Sequence, residues 1–158
     1  FCLKGHDFPF STNAVAVNRK MPLVTLDKLK QYYGGTLSNK KLLLMGVSYR
    51  QDIDDTRHSP SEFFVKEAEK MGANISAYDP FVEYWTEMDI QLPSELPDLL
   101  QYEAIVFAVP HNEFQNLSFK DLQTDHELLI FDANNVLSKE QIKNIYDNRI
   151  RFLSNGRG

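Results

Sequence analysis

Five short apolar runs dominate the chain: Leu42 to Val47, Ala73 to Tyr78, Ala104 to Val109, Leu128 to Phe131 and Ile150 to Leu153. Between most of them apolar residues recur at helical spacing, and this alternation restricts the fold more than any other feature. The runs are nearly continuous in apolar character rather than alternating with polar residues. A strand reads this way when both of its faces are covered. Strands separated by helix-length segments pair in parallel, with the helices on the two faces.

The expected fold class is therefore α/β, a Rossmann-like three-layer arrangement around a parallel sheet of about five strands. With 158 residues, 42% of them hydrophobic, the chain can build one compact domain with a short appendage. The appendage is the first segment. From Ser11 to about Tyr33, Ala14, Val15, Val17, Met21, Leu23, Val24, Leu26 and Leu29 recur at three- and four-residue steps, predicting a helix with a broad apolar face. Pro22 either kinks one helix or begins a second, and Gly34-Gly35 ends the segment. No partner for that face is evident nearby in sequence, so a contact with another domain or subunit is expected. The boundary falls in Gly34 to Asn39, giving residues 1–36 as a helical region and 37–158 as the α/β domain.

Helix starts are marked at Ser59-Pro60-Ser61-Glu62 and at Ser138-Lys139-Glu140-Gln141, each with a capping hydroxyl and Glu or Gln three residues later. A short helix is expected around Pro93, Pro97 and Leu99.

In open parallel sheets, ligands bind beyond the carboxyl ends of the strands, so the loops after Val47, Tyr78, Val109 and Phe131 are the ones to read. After the first strand, Gly46 stands alone and the turn is long, unlike the G-x-G-x-x-G turn that seats a pyrophosphate. The loop instead carries Arg50 and Arg57 near the start of the Pro60 helix, where free N–H groups and the helix dipole favour an anion. The two arginines either hold a phosphate or carboxylate, or pair with Asp52, Asp54 and Asp55 and staple the loop. Asp79-Pro80 is read as a turn in preference to a ribose anchor. His111, with no neighbouring cluster, is read as structural rather than as an acid or base. Asn134 and Asn135 serve either a tight turn or a ligand. His6, His58 and His126 show no metal-ligand spacing, and no metal site is expected.

A formal net charge of -5, with no basic run longer than two residues, lacks the footprint of a nucleic-acid or anionic-lipid binder. Cys2 is the sole cysteine, which rules out an internal disulfide and fits a reducing cytoplasm. No apolar stretch approaches the roughly 20 residues of a membrane helix. The chain opens at Phe1 rather than Met, so removal of a preceding region is expected.

Taken together, the loops resemble the C-terminal domain of the UDP-glucose/GDP-mannose dehydrogenase family. Leu44-Met45-Gly46-Val47-Ser48-Tyr49-Arg50, followed by Asp54-Asp55-Thr56-Arg57-His58-Ser59-Pro60, looks like that family's G-x-x-[FY]-[KR]…D-D-x-R-x-S-P signature. Ala77 to Pro80, Val109 to Phe114 and Phe131 to Leu137 fall where the family has its D-P, H-x-x-[FW] and D-x-R-x-x-L stretches. Asn155 to Gly158 resembles its usual ending, and Asn18-Arg19-Lys20-Met21-Pro22 resembles the N-x-x-M-P element closing its central helical region. Members oxidise the C6 alcohol of a nucleotide sugar to the carboxylate in two NAD-dependent steps through a cysteine thiohemiacetal.

The resemblance implies that Tyr49, Arg50 and Asn134 contact a UDP-sugar substrate and that Arg57 reaches toward NAD. It also implies a homodimer or larger assembly through the helical region. The dinucleotide-binding domain and the nucleophile's glycine-rich surroundings have no counterpart here, and Cys2 is read as an ordinary cysteine. No residue of this chain is assigned a catalytic role, and the chain by itself is expected to be inactive. Asn134 stands where the family usually has Arg, His58 where it often has Glu, and Arg50 where Lys is commoner. A different reading is a doubly wound binding or regulatory module using Asp52, Asp54 and Asp55. That module would want acids at strand ends and a lysine beyond the fourth strand, whereas the next lysine is Lys139.

Overall fold

A computed structural model of the chain describes residues 9–156, with side chains from residue 21 onward. Five strands form the central sheet: β1 (Lys41–Met45), β2 (Asn74–Tyr78), β5 (Ala104–Phe107), β6 (Leu129–Asp132) and β7 (Arg151–Ser154). Their spatial order is β2-β1-β5-β6-β7, and every neighbouring pair is parallel. Two minimal strands, β3 (Tyr84–Trp85) and β4 (Ile90–Gln91), form a separate antiparallel hairpin. The helices are α1 (Pro9–Tyr32), α2 (Pro60–Lys70), α3 (Asn112–Gln115) and α4 (Lys139–Asp147).

The continuous apolar runs feed two cores, because successive side chains of a strand point to opposite faces. Leu42, Leu44, Val106, Leu129 and Phe131 join one cluster with residues of α1 and α2. Leu43, Met45, Ile105, Phe107 and Ile130 join the other, with Phe114 of α3 and Ile145 of α4. This is the three-layer α/β arrangement expected from the sequence.

Both marked helix starts are present. The Ser59 hydroxyl accepts from the Ser61 amide at the start of α2, and Pro60 occupies the first turn, where its missing N–H costs nothing. Glu62 pairs with Lys66 one turn on rather than returning to the cap. At α4 the reciprocal capping box closes: Gln141 N–H donates to Ser138 Oγ at 3.2 Å, and Ser138 N–H donates to Gln141 Oε1 at 2.9 Å.

Of the two alternatives at Pro22, the structure has one helix: α1 continues through it. Two features differ from the sequence reading. The short helix expected near Leu99 is a single 3-10 turn over Leu99–Gln101, with the Asp98 carboxylate accepting from Leu100 N–H. The hairpin was not foreseen; two residues per strand leave no alternating pattern to detect. Trp85 is its contribution to the fold, fully buried in the α1/α2 core.

The described end of the apolar face of α1 packs within the chain. Leu26 and Leu29 are fully buried in the core shared with α2, each worth about 2 kcal/mol in area removed from water. Tyr33 Oη donates to the Glu103 carbonyl, and Lys28 Nζ donates to the Ser154 carbonyl at 2.9 Å. The end of α1 is thus held to this domain by packing and by hydrogen bonds. Met21 and Val24, on the same helix, remain exposed.

Candidate functional site

Numbered along the sheet alone, the strand order is 2-1-3-4-5, which reverses direction between β1 and β5. A crevice opens beyond the carboxyl ends of strands at such a switch point. Here it is a cleft of about 180 Å³. Met21, Pro22 and Thr25 of α1 form one side, and the loop after β1 brings Ser48, Tyr49 and Arg50. Ser59, Pro60 and Ser61 present the start of α2. Val109 and Pro110 follow β5, Ala133 and Asn134 follow β6, and Asn155 follows β7.

Of the residues singled out in the sequence, Tyr49, Arg50 and Asn134 meet in this cleft, whereas Arg57 does not line it. Arg50 is exposed and forms no ion pair among the described residues; its guanidinium lies 5.6 Å from the centre of the Tyr49 ring. Arg57 makes the bidentate pair that loop stapling requires, with Nε and Nη2 donating to Asp55 at 2.9 and 2.8 Å. Those bonds hold the Asp55 carboxyl down to about 2. The Arg57 side chain nevertheless stays 77% exposed. The loop-stapling reading thus holds for Arg57, and among the described residues Arg50 makes no such pair.

Asn134 donates its side-chain amide to the Ala108 carbonyl, which fixes the β6 loop against the end of β5. Asn155 donates to Thr25 Oγ1 at 2.8 Å and to the Ala133 carbonyl at 3.3 Å, while its own carbonyl oxygen is buried and has no partner among the described residues. Thr25, Ser48 and Asn155 were not singled out individually. For Thr25, its four-residue spacing from Met21 on a helix was the available signal.

Beneath the cleft lies a buried polar knot. Asp79 Oδ2 accepts from the amides of Val47 and Ser48 at 2.8 and 3.0 Å and faces His111 Nε2 at 3.0 Å, while Oδ1 accepts from Phe81 N–H at 2.9 Å. Burial alone would push this carboxyl up, but the bonds from His111, Phe81 and Val47 hold it below the ordinary carboxylate range. With both oxygens engaged, Asp79 anchors the turn rather than waiting for a ribose.

Ser48 Oγ also approaches His111 Nε2, at 3.2 Å. Serine and aspartate thus share one ring nitrogen, which is not the relay of a hydrolytic triad, where they occupy opposite nitrogens. Among the described residues no cluster of three or more His, Cys, Asp or Glu is placed to hold a metal, and no helix is long and apolar enough to cross a membrane. Cys2, His6, Arg157 and Gly158 lie outside the described residues.

Residues 43–139, which include β1, the arginine loop, α2, the polar knot and the Asn134 turn, match the UDP-binding domain of the UDP-glucose/GDP-mannose dehydrogenase family. The chain belongs to this family. Among its relatives, it is 26% identical over 160 residues to the UDP-N-acetyl-D-mannosamine dehydrogenase of Methanococcus vannielii, covering 97% of this chain and 36% of that protein. It is 24% identical over 135 residues to the UDP-glucose 6-dehydrogenase of Rickettsia bellii, covering 81% of this chain and 31% of that protein. The fold superposes with a TM-score of 0.80 on an NDP-N-acetyl-D-galactosaminuronic acid dehydrogenase from Methanosarcina mazei. That likeness, at 22% identity, covers 99% of this chain and 33% of the other. The chain therefore spans about a third of the length of these dehydrogenases and carries their UDP-binding domain.

Proposed function

We propose that this domain supplies the nucleoside-diphosphate wall of the substrate cleft in an NAD-dependent UDP-sugar 6-dehydrogenase, which oxidises the C6 alcohol of its sugar to the carboxylate. The observation that carries the reading is Arg50. Among the described residues it is a cation without an ion pair, in a cleft at the β1/β5 switch point beside the start of α2, where a diphosphate is rewarded by a planar, multidentate donor. Tyr49 braces that guanidinium. Asn134, in the place of the family's usual arginine, offers an amide instead of a second charge. Asn155 adds a buried acceptor that has no donor among the described residues, a deficit a ligand N–H or O–H relieves after a small side-chain movement.

A volume of about 180 Å³ falls below the roughly 300–1,000 Å³ of a complete small-molecule site. This fits one wall of a site completed by further protein. NAD does not fit this cleft in the dinucleotide manner. Gly46 is a single glycine closed over by Val109, and Asp79 is committed to its own backbone. NAD is accordingly assigned to the remainder of the dehydrogenase, with the exposed Arg57 as the residue facing it. The division into a helical region over residues 1–36, contributing to subunit pairing, and a UDP-binding domain over residues 37–158 completes the proposal.

Relatives acting on both UDP-glucose and UDP-N-acetyl-D-mannosamine leave the sugar to be read by experiment. A thermal-unfolding titration with UDP, UDP-glucose, UDP-N-acetylmannosamine, GDP-mannose and NAD tests the assignment. Uridine ligands at a hundred times their dissociation constant stabilise the protein by about 2.7 kcal/mol, and NAD has little effect. Stabilisation by NAD but by no uridine ligand would reverse the assignment.

A further inference from the structure

The loop that carries Tyr49 and Arg50 is held through an unusual contact. Asp52 adopts a left-handed backbone conformation, φ 56°, which is costly for a residue with a side chain. In that conformation its amide N–H donates to His111 Nδ1 at 2.9 Å. The Asp52 carboxylate in turn accepts from the Asn112 amide, also at 2.9 Å. On the other side of the ring, Ser48 Oγ sits 3.2 Å from Nε2 and donates to the Arg50 carbonyl at 2.8 Å. The imidazole thus contacts the loop on either side of Arg50, at Ser48 and at Asp52.

These contacts define the tautomer. A nitrogen that accepts a backbone N–H carries no proton, so Nδ1 is bare and Nε2 bears the hydrogen shared between Asp79 and Ser48. The Asp52 carboxylate lies 3.5 Å from Nδ1, too far to displace that amide as the hydrogen-bond partner. His111 is fully buried, so no water substitutes at either nitrogen without rearrangement. A purely structural core histidine needs only its bond to Asp79; the lone pair on Nδ1 does something separate.

We infer that His111 is the positioning residue for Arg50, acting through the Nδ1 lone pair, which holds the Asp52 amide and so fixes the loop in its ligand-facing form. Nε2–H serves Asp79 at 3.0 Å with a longer 3.2 Å approach to Ser48, whereas Nδ1 serves the Asp52 amide. The inference rests on reading the cleft as a nucleoside-diphosphate site, but the loop itself can be followed without ligand.

Two replacements separate the two nitrogens, because glutamine places its amide where Nε2 stands and asparagine places its amide where Nδ1 stands. In His111→Gln the bond to Asp79 survives and the Asp52 anchor is lost. In His111→Asn the acceptor for Asp52 survives and Asp79 loses its partner. Unfolding temperature, hydrogen exchange of the Asp52 amide relative to the β1 amides, and UDP affinity are measured for both and for the unaltered protein. His111→Gln is expected to unfold near the original temperature, to lose Asp52 protection and to bind UDP about tenfold more weakly. His111→Asn is expected to unfold earlier while keeping Asp52 protection and UDP affinity. Loss of affinity in step with stability in both variants would overturn the inference, as would an unprotected Asp52 amide in the unaltered protein. If the unaltered protein fails to bind UDP, the proposed function falls, and the exchange comparison still decides whether Nδ1 holds the loop.

Discussion

Asp79→Asn lowers the stability of this domain by about 4 kcal/mol, through buried donors left unpaired around a lost charge. The replacement is nearly isosteric, so the effect is one of hydrogen-bond accounting. Oδ2 now serves the amides of Val47 and Ser48 and faces His111, while Oδ1 serves Phe81. An asparagine has one acceptor oxygen, and either orientation points its NH₂ at a backbone N–H. The variant also changes the response to acid. The Asp79 carboxyl is held below its ordinary value in the folded protein. Its contribution is therefore complete above the unfolded carboxyl's value of about 3.9 and is lost as pH falls through the lower folded value. Urea unfolding from pH 7 down to pH 3 should show a steeper loss of stability in the unaltered protein than in Asp79→Asn. Parallel curves would mean that the charge at Asp79 is not what the network stabilises.

Gly46→Ala is expected to cost a similar amount, about 4 kcal/mol, for a reason of shape. Gly46 closes β1 with φ 97°, outside the range side chains tolerate, and a Cβ there would stand 2.6 Å from Val109 Cβ and 2.9 Å from the Val109 amide nitrogen. The obstruction includes backbone, so repacking does not relieve it, and Val109→Ala is not expected to rescue the variant. The Gly46 carbonyl accepts from Ser61 Oγ, tying the same turn to the first turn of α2. A shift in the urea midpoint without a change in slope would report this destabilisation. A midpoint near that of the unaltered protein would show that the turn can move, and with it the wall of the cleft.

The parallel sheet was legible because Leu42 to Met45, Ala104 to Phe107 and Leu129 to Asp132 are buried on both faces, and a two-sided strand advertises itself as an apolar run. Both serine caps were legible for a local reason: the capping oxygen lies within two or three residues of the amide it serves. The hairpin at Trp85 was not, since its hold comes from burial in a core assembled from distant segments. The candidate site divides the same way. Arg50 and Asn134 drew attention because they lie in loops after strand ends, whereas Tyr49 was marked by the family resemblance. The contrasting fates of the two arginines depend on Asp55 lying two residues from Arg57, a spacing that competed on equal terms with Asp52 and Asp54 until the loop was seen folded. His111 illustrates what spacing hides: its partners Asp79, Ser48 and Asp52 lie 32 to 63 residues away along the chain.

The most direct test of the account is calorimetric titration of UDP into the unaltered protein and into Arg50→Ala, with Arg57→Ala alongside. Arg50 is exposed and unpaired with any acid among the described residues, so its removal leaves the fold intact and takes away a charge-assisted contact. UDP affinity is predicted to fall by roughly 10- to 100-fold in Arg50→Ala and to change little in Arg57→Ala. Equal affinity of Arg50→Ala and the unaltered protein, or weakening confined to Arg57→Ala, would contradict the assignment of this cleft as the diphosphate wall.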